Sequence, residues 1–206
     1  GRLGEGNDVS LWNNQLTDVT GLEKLDQLTE LHLEGNQLTE LPKGLEDLTQ
    51  LTSLNLSHNQ LTDVKDLEKL TQLTNLHLGD NQLTDVKGLE KLTQLTRLGL
   101  GLNQLTSVEG LDKLTKLQQL HLFNNQLTEV KGLENLTQLT LLTLPDNQLT
   151  DVKGLENLTQ LRTLNLKSNP DLTKAQIDQL QKALPKCKIL SSAKKSRVPV
   201  NTRPLK

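Results

Sequence analysis

Three histidines occupy the same position of a repeated sequence motif, and equivalent positions of stacked repeats can hold the ligands of a metal ion. His32, His77 and His121 each stand between two leucines. If each Leu-His-Leu phrase is a strand and the strands stack side by side, successive histidines lie about 10 Å apart. A metal ion binds nitrogen ligands at about 2 Å, so this spacing predicts no shared metal site. His58 lies about three residues after the equivalent position of its own repeat and does not complete a metal site.

The other residues with reactive or phosphate-binding potential also form no catalytic group. Gly99-Leu100-Gly101 is not a phosphate loop, because its two glycines fill two variable positions of one predicted strand. Cys187 is the only cysteine, which excludes an internal disulfide, and we interpret it as a small buried residue and not as a reactive thiol. We therefore expect a protein that is not an enzyme, with no catalytic or metal-binding residues and no cofactor.

Charge is distributed unevenly along the chain. The net charge is −2, but residues 191–206 carry five basic residues and no acidic one, which leaves −7 on residues 1–190. An acidic body predicts that nucleic acid is not the partner, because phosphate binding needs a basic surface. No apolar segment is long enough to span a membrane. We expect the basic segment to be a disordered, solubilising tail or a linker remnant, with an acidic membrane or protein surface as the alternative contact.

The sequence leaves the compartment open. The absence of disulfides fits a reducing cytosol, but secreted bacterial proteins often lack disulfides as well. The chain starts Gly-Arg-Leu-Gly-Glu-Gly, without Met or a signal sequence, and we interpret it as a mature form or an excised fragment.

Internal repetition is the strongest signal in the sequence. An asparagine recurs at spacings of 22, 23 and then five times 22 residues, within the unit L-T-x-L-x-L-x-x-N-Q-L-T-D-V-K-G-L-E-x-L-T-Q. This unit resembles the leucine-rich repeat, and its continuation after the asparagine resembles the 22-residue class of bacterial internalins. The resemblance covers about residues 1–169, and the single longer unit resembles the neighbouring L-P-x-x-L class at Leu41-Pro42-Lys43. The eight asparagines are Asn14, Asn36, Asn59, Asn81, Asn103, Asn125, Asn147 and Asn169.

The physics of one unit can be deduced from its periodicity. Leu120-His121-Leu122 alternates with period two, which predicts a short strand with both leucines facing inward. Leu127, Val130, Leu133 and Leu136 follow at spacings of three, which predicts a helical or 3₁₀ return. A buried asparagine amide must be hydrogen-bonded, so we expect the eight asparagines to form a ladder that bonds loop backbone of their own or the next coil.

These units predict an α/β fold, a curved leucine-rich repeat solenoid. One coil cannot bury its own leucines, whereas stacked coils can. The parallel β-sheet lines the concave side, short helical or 3₁₀ returns form the convex side, and a helix-plus-strand cap closes the C-terminus. Residues 1–169 are predicted to form eight repeats of 22–23 residues, residues 170–190 the cap, and residues 191–206 the tail.

Both ends depart from the repeat. In the cap, Thr173 is predicted to begin a helix that buries Leu180 and ends at Pro185, followed by a closing strand that turns Cys187 inward. At the start, Gly6 stands where a leucine is expected. Either the first coil is frayed or a preceding domain has been lost.

Variation between units is concentrated at the strand positions that face away from the leucine core. The return segments are nearly identical between units. Random drift at exposed positions would have changed the exposed Glu and Lys residues of the returns as well, so we interpret the variable face as a recognition surface. The resemblance implies the same, since leucine-rich repeat proteins of this class usually bind other proteins. We therefore expect a monomeric, non-enzymatic module that binds a protein or peptide on its concave face. The alternative is a regulatory or targeting domain excised from a larger signalling enzyme or bacterial effector.

The single Phe marks the predicted contact. Phe123, Leu102, Leu141 and Pro145 fall in neighbouring coils and are predicted to form an exposed apolar patch beside a shallow recess at Gly99 and Gly101. The alternative is that these side chains pack sideways on each other and bind nothing. Trp12 either is displayed in the same column as Phe123, or covers the open first coil, or meets a lost domain. The predicted partner-binding residues are Arg97, Leu102, His121, Phe123, Asn124, Leu141, Pro145, Asp146, Lys167 and Trp12.

Overall fold

The computed structural model describes residues 8–194 of the chain. Nine short strands within these residues form one curved parallel sheet, in which each strand pairs with the next one along the chain. The predicted solenoid is therefore confirmed. The strands are β1 (Asp8–Ser10), β2 (Glu30–His32), β3 (Ser53–Asn55), β4 (Asn75–His77), β5 (Arg97–Gly99), β6 (Gln119–His121), β7 (Leu141–Thr143), β8 (Thr163–Asn165) and β9 (Lys188–Leu190).

Strand pairing keeps equivalent repeat positions side by side. Leu98 of β5 pairs with Leu120 of β6, and Leu120 lies one strand from Leu142 of β7. Each of these leucines is almost completely buried. The sheet therefore arranges the outward residues of successive coils in straight columns.

The returns on the convex side are short because leucines at spacings of three make a tight turn. In the return of the fourth unit, the backbone N–H of Leu92 donates to the carbonyl of Leu89 at 3.0 Å, and both side chains are fully buried. Four returns in the described residues are 3₁₀ helices, and the others are linked turns of the same spacing. The 3₁₀ helices are Leu22–Lys24, Leu45–Asp47, Lys65–Lys69 and Leu155–Asn157.

A glycine opens the return of most units, and Gly88 shows the structural reason. Gly88 has φ of +97°, and a Cβ there would lie 2.6 Å from the Cα of Lys65 in the coil before. The third unit has Asp66 at this position instead. There the chain forms a longer 3₁₀ helix of five residues, Lys65–Lys69, which avoids the left-handed turn.

The predicted asparagine ladder is present, but it runs toward the preceding coil and not toward the next one. Asn103 accepts a hydrogen bond from the N–H of Leu83 in the coil before (3.0 Å). Its amide nitrogen donates to the carbonyls of Leu78 in that coil (3.0 Å) and Leu100 in its own (3.1 Å). Seven ladder asparagines are buried. The eighth, Asn14, is exposed, and its amide nitrogen donates to the carbonyl of Trp12 in its own coil.

The C-terminal cap follows the prediction. Helix α1 (Lys174–Ala183) begins with a capping box, in which the hydroxyl of Thr173 accepts from the N–H of Gln176 and the Gln176 side chain accepts from the N–H of Thr173. Leu180 and Cys187 are buried against the last coil, and β9 then closes the sheet.

The two ends are only partly described. Val9 of the first coil is buried, whereas Leu3 and Gly6 lie outside the described residues. At the other end, the N–H of Ser168 donates to the hydroxyl of Ser192 at 3.2 Å, so the chain keeps contact with the last coil beyond β9. Most of the predicted tail, residues 195–206, lies outside the described part. Across residues 8–194, no helix is long and apolar enough to cross a membrane.

Candidate functional site

Leu102, Phe123 and Pro145 lie next to one another on the concave side. The N–H of Leu102 donates to the carbonyl of Phe123 at 2.9 Å, and the N–H of Asn124 donates to the carbonyl of Pro145 at 2.9 Å. These bonds continue the β5–β6–β7 pairing past the strand ends. The three apolar residues are therefore in consecutive coils, as the sequence predicted. We call Leu102, Phe123 and Pro145 the apolar patch.

Leu141 lies apart from the apolar patch. It begins β7, four residues before Pro145, which places it about 13 Å away along the strand direction. The intervening column is occupied by polar groups, where the ring Nδ1 of His121 lies 3.0 Å from the hydroxyl of Thr143. Leu141 pairs instead with the column of Arg97 and Gln119 at the opposite edge of the concave face.

The recess predicted beside the Phe123 ring is filled by the ring itself. Gly101 is buried, and any side chain there would collide with ring atoms Cε1 and Cζ of Phe123. At Gly99, a Cβ would meet the ring Nδ1 of His77 at 3.3 Å. Phe123 is thus half-buried and lies across the glycine backbone of the neighbouring coil, outside the buried leucine core. The ring thus packs on the glycine of the neighbouring coil, and the alternative that the apolar side chains pack on each other and bind nothing stays a prediction.

The position before each ladder asparagine has a left-handed backbone in all eight coils. Its φ lies between 52° and 68° throughout. Asn, Asp, Gly and His tolerate this region better than other residues, so the backbone explains most of the variation in this column. Asn124 and Asp146, which the sequence analysis assigned to recognition, have this structural reason for their type. The residues are Asn13, Gly35, His58, Asp80, Leu102, Asn124, Asp146 and Ser168.

Two basic side chains lie on the concave face, Lys167 in the column of Pro145 and Arg97 in the column of Leu141 at the opposite edge. Arg97 opens β5 and Lys167 follows β8, and both are exposed. Neither forms an ion pair with any residue between 8 and 194. Burial lowers the pKa of the half-buried His121, and the nearby His77 lowers it further.

The first two coils carry an acidic group around His32. The ring of His32 lies 2.9 Å from a carboxylate oxygen of Glu30, 3.1 Å from one of Glu34 and 3.6 Å from one of Asp8. Burial lowers the pKa of His32, but the hydrogen bonds to Glu34 and Glu30 and the charges of Glu34 and Asp8 raise it more, so the net pKa is raised. The signal in the sequence was three acidic residues in outward positions beside one histidine.

This acidic group also bears on metal binding. One potential ligand atom each from Asp8, Glu30 and His32 lies within 4.8 Å of the other two. Histidines alone are too far apart to share an ion, whereas this set combines one histidine with two carboxylates. Exposed carboxylates commonly gather without an ion, and the expectation of no metal site stays a prediction.

Trp12 is displayed at the same end of the face. Its side chain is 59% exposed and borders an open cleft of about 460 Å³, which Glu34 and His58 also line. His58 lies 2.7 Å from a carboxylate oxygen of Asp80. Trp12 is in the column of Phe123 but several coils away from the apolar patch, so the structure does not bring the two aromatic residues together.

Comparison with known proteins agrees with the repeat geometry. A family model for leucine-rich repeats in two copies matches residues 49–91 and 93–135, and a second leucine-rich repeat model matches residues 7–61. No curated protein matches the chain by sequence. The chain belongs to the leucine-rich repeat family.

Similarity to solved structures assigns the chain to a narrower class within this family. Internalin C2 of Listeria monocytogenes is 36% identical, with a TM-score of 0.73 over 77% of this chain and 70% of that one. The Listeria internalin inlF is 28% identical, with a TM-score of 0.80 over 96% of this chain and 56% of that one. A leucine-rich repeat protein of Leptospira interrogans is 33% identical, with a TM-score of 0.82 over 89% and 48%. The protein is of the bacterial, internalin-like class, and it spans about half the length of two of these relatives.

Proposed function

We propose that this protein binds a protein partner on its concave face, without catalysing a reaction, and that the apolar patch is the centre of the contact. Leucine-rich repeat domains generally mediate protein–protein interaction, which supports the general function. The concave location is supported by one observation. Leu102, Phe123 and Pro145 form an apolar surface in consecutive coils on a face whose other outward positions are mostly polar.

The surroundings of the patch have the composition of a contact rim. It is surrounded by polar and charged groups, His121, Asn124, Asp146 and Lys167, as is usual at the edge of a protein interface. Arg97 lies further out, in the column of Leu141. We place Leu141 at the margin of this contact and Trp12 outside it, because both are separated from the patch.

The two larger side chains of the patch are expected to contribute most of its binding free energy. Leu102 is 40% exposed and Phe123 is half-buried, so a partner would remove further apolar surface from water at both. Central apolar residues of this kind are the usual hot spots, and truncating one costs about 2 kcal/mol of binding free energy or more.

A longer parent protein gives the second candidate function. Two of the solved relatives extend well beyond the region that this chain matches, which covers 56% and 48% of their lengths. In that case the same concave face would target or regulate another domain of the parent protein. The full gene sequence distinguishes the two readings, because the second requires a further domain in the same chain.

The test is affinity capture from the source cell, followed by titration of the purified partner. The informative variants are Leu102→Ser and Phe123→Ser. Leu25→Ser is the matched control, because Leu25 is 41% exposed and lies in the return of the first coil, four coils before Leu102. The proposal expects the two concave variants to weaken binding at least about tenfold and the control to bind as wild type does. Equal affinity for all four proteins would refute it.

A further inference from the structure

Trp12 is an aromatic residue that the described fold leaves in solvent. It is the only Trp of the chain, it is 59% exposed, and it lies outside the buried leucine core. Its hydrogen bond with the amide of Asn14 is made by its backbone carbonyl and not by its indole. A large apolar ring gains free energy when it leaves water, and Trp is enriched where proteins bind other molecules. The indole is therefore free to contact a ligand.

The cleft beside this indole has a carboxylate as its second wall. Trp12 and Glu34 occupy equivalent positions of the first two coils, and the N–H of Asn13 donates to the carbonyl of Glu34 at 3.0 Å, which holds the coils side by side. Together with Asn13, Gly35 and His58 they line a cleft of about 460 Å³, which we call the Trp12 cleft. A cleft of this size has room for one long side chain and the backbone that carries it.

The fold satisfies only one of the two oxygens of the Glu34 carboxylate. Oε1 lies 3.1 Å from the ring Nδ1 of His32. Oε2 is buried and has no hydrogen-bond partner among residues 8–194. An unpaired buried acceptor costs free energy, and in folded proteins such an atom commonly marks the place of a water, an ion or a ligand. The side chain as a whole is 24% exposed, so a donor that enters from the cleft reaches this carboxylate.

The charge next to the Trp12 cleft is negative. Carboxylate oxygens of Glu30 and Asp8 lie 2.9 and 3.6 Å from the ring Nε2 of His32, on the other side of the ring from Glu34. Three carboxylates thus outnumber one imidazole, even when the imidazole is protonated. No Lys or Arg occurs in the strand segments of the first three coils, which are residues 8–13, 30–35 and 53–58. A positively charged ligand complements this end of the concave face.

We propose that the Trp12 cleft binds an arginine side chain of the partner protein. The guanidinium stacks on the face of the indole, and its N–H groups donate to the carboxylate of Glu34. Arginine suits both walls better than lysine does, because its planar group stacks on aromatic rings and carries five donors in a fixed fork. A quaternary ammonium would also attract the indole but has no N–H for Glu34, and a metal ion would gain nothing from the ring.

The inference rests on the proposed function and adds a second, chemically different contact to it. Trp12 precedes Phe123 in the same column by five coils, which is about 24 Å across the sheet. A protein interface of ordinary size covers about 800 Å² on each partner and spans this distance. One partner can therefore pack on the apolar patch and place an arginine in the Trp12 cleft.

The single Trp is also the reporter for the experiment. The chain has no Tyr, so its intrinsic fluorescence comes from the wall of this cleft. Wild-type protein is titrated with the peptide acetyl-Gly-Arg-Gly-amide and with the same peptide carrying citrulline, which has the shape of arginine without its charge. We expect a saturable change in Trp12 emission, with the arginine peptide binding at least about fivefold more tightly than the citrulline peptide.

Glu34→Gln tests the second wall, because it removes the charge and keeps the size of the side chain. We expect this variant to bind the arginine peptide at least about fivefold more weakly than wild type. Asp146→Asn is the matched control, since it removes one exposed carboxylate five coils after Glu34, and it is expected to bind as wild type does. The citrulline comparison uses the wild-type protein, so the test stands even if Glu34→Gln destabilises the first two coils.

The inference fails if the arginine and citrulline peptides bind alike, if neither changes the emission, or if a folded Glu34→Gln binds as wild type does. A lysine peptide that binds as tightly as the arginine peptide would overturn the assignment to arginine. These peptides do not need the apolar patch, so Phe123→Ser should give the wild-type titration. If the peptides fail while Phe123→Ser still weakens capture of the partner, the proposed function stands and only this inference falls. If the arginine peptide binds as expected while the patch variants keep full affinity for the partner, the patch is refuted and the Trp12 cleft remains.

Discussion

The asparagine ladder supports a quantitative prediction at Asn103. The side chain is buried in the middle of the solenoid and bonds four backbone groups. Replacing Asn103 with Ala removes all four bonds but little volume. We expect the variant to fold, with a lower free energy of unfolding, because neighbouring coils still supply their own asparagines.

The size of the expected loss in unfolding free energy depends on which backbone groups keep a second hydrogen-bond partner. The carbonyl of Leu78 also accepts from the amide of Asn81 (3.0 Å), and that of Leu100 also accepts from Asn125 (3.0 Å). The N–H of Leu83 has only the Asn103 oxygen among the described residues, and Leu83 is buried. One orphaned buried donor costs about 1–3 kcal/mol, and we expect a loss of about 2 kcal/mol.

Chemical denaturation followed by far-UV circular dichroism measures this loss. Asn14→Ala is the matched control, because Asn14 is exposed and, among residues 8–194, its side chain bonds only the Trp12 carbonyl within its own coil. The free energy of unfolding of this control should change by less than about 0.5 kcal/mol. Equal effects of the two substitutions, or no shift for Asn103→Ala, would refute the argument that the ladder satisfies buried backbone groups.

Three further predictions concern the ends and the concave face, and a fourth concerns pH. Phe123→Ser should lower the free energy of unfolding by only about 1 kcal/mol, because the ring is half-buried but lies outside the leucine core; ready unfolding would show that the ring is part of the core. Deleting residues 191–206 should barely change the melting temperature, and a drop of several degrees would show that this segment packs on the cap. Leu102→Asn should raise stability by about 1 kcal/mol, whereas Asp146→Asn in the same backbone column should not, as denaturation would show. In an NMR titration, the raised pKa of His32 should place its midpoint above those of the other two histidines in its column. Its protonated form therefore stabilises the fold below about pH 6.5, and that contribution is lost as the pH rises through the raised pKa. A midpoint below those of its neighbours would contradict the hydrogen bonds drawn to its ring.

Periodicity alone predicted the parts of the fold that repeat. The inward positions of Leu120 and Leu122, the tight returns and the buried asparagines follow from spacing, because stacked coils bury equivalent residues equally. The cap was predictable for a different reason, since Thr173 and Gln176 form a local capping box that needs no information from the other coils.

The details of the candidate site depended on geometry that spacing does not contain. The left-handed backbone before each ladder asparagine is a matter of dihedral angles, and it gives Asn124 and Asp146 a conformational reason for their residue type beside the predicted role in recognition. The fit of the Phe123 ring over Gly101 depends on a side-chain rotamer between two coils. The acidic group around His32 was visible as residue types, but its convergence depends on which carboxylates turn toward the ring.

The direction of the asparagine ladder has a consequence for biosynthesis. Asn125 accepts from the N–H of Leu105 in the coil before it, so the loop of one coil is completed by the asparagine of the next. Because the ribosome releases the N-terminal coil first, each newly emerged coil holds an unpaired amide until about 20 more residues have been translated. Folding must therefore follow translation one coil behind. A nascent chain stalled between repeats always ends in an incomplete coil, which is where a chaperone or protease would find it.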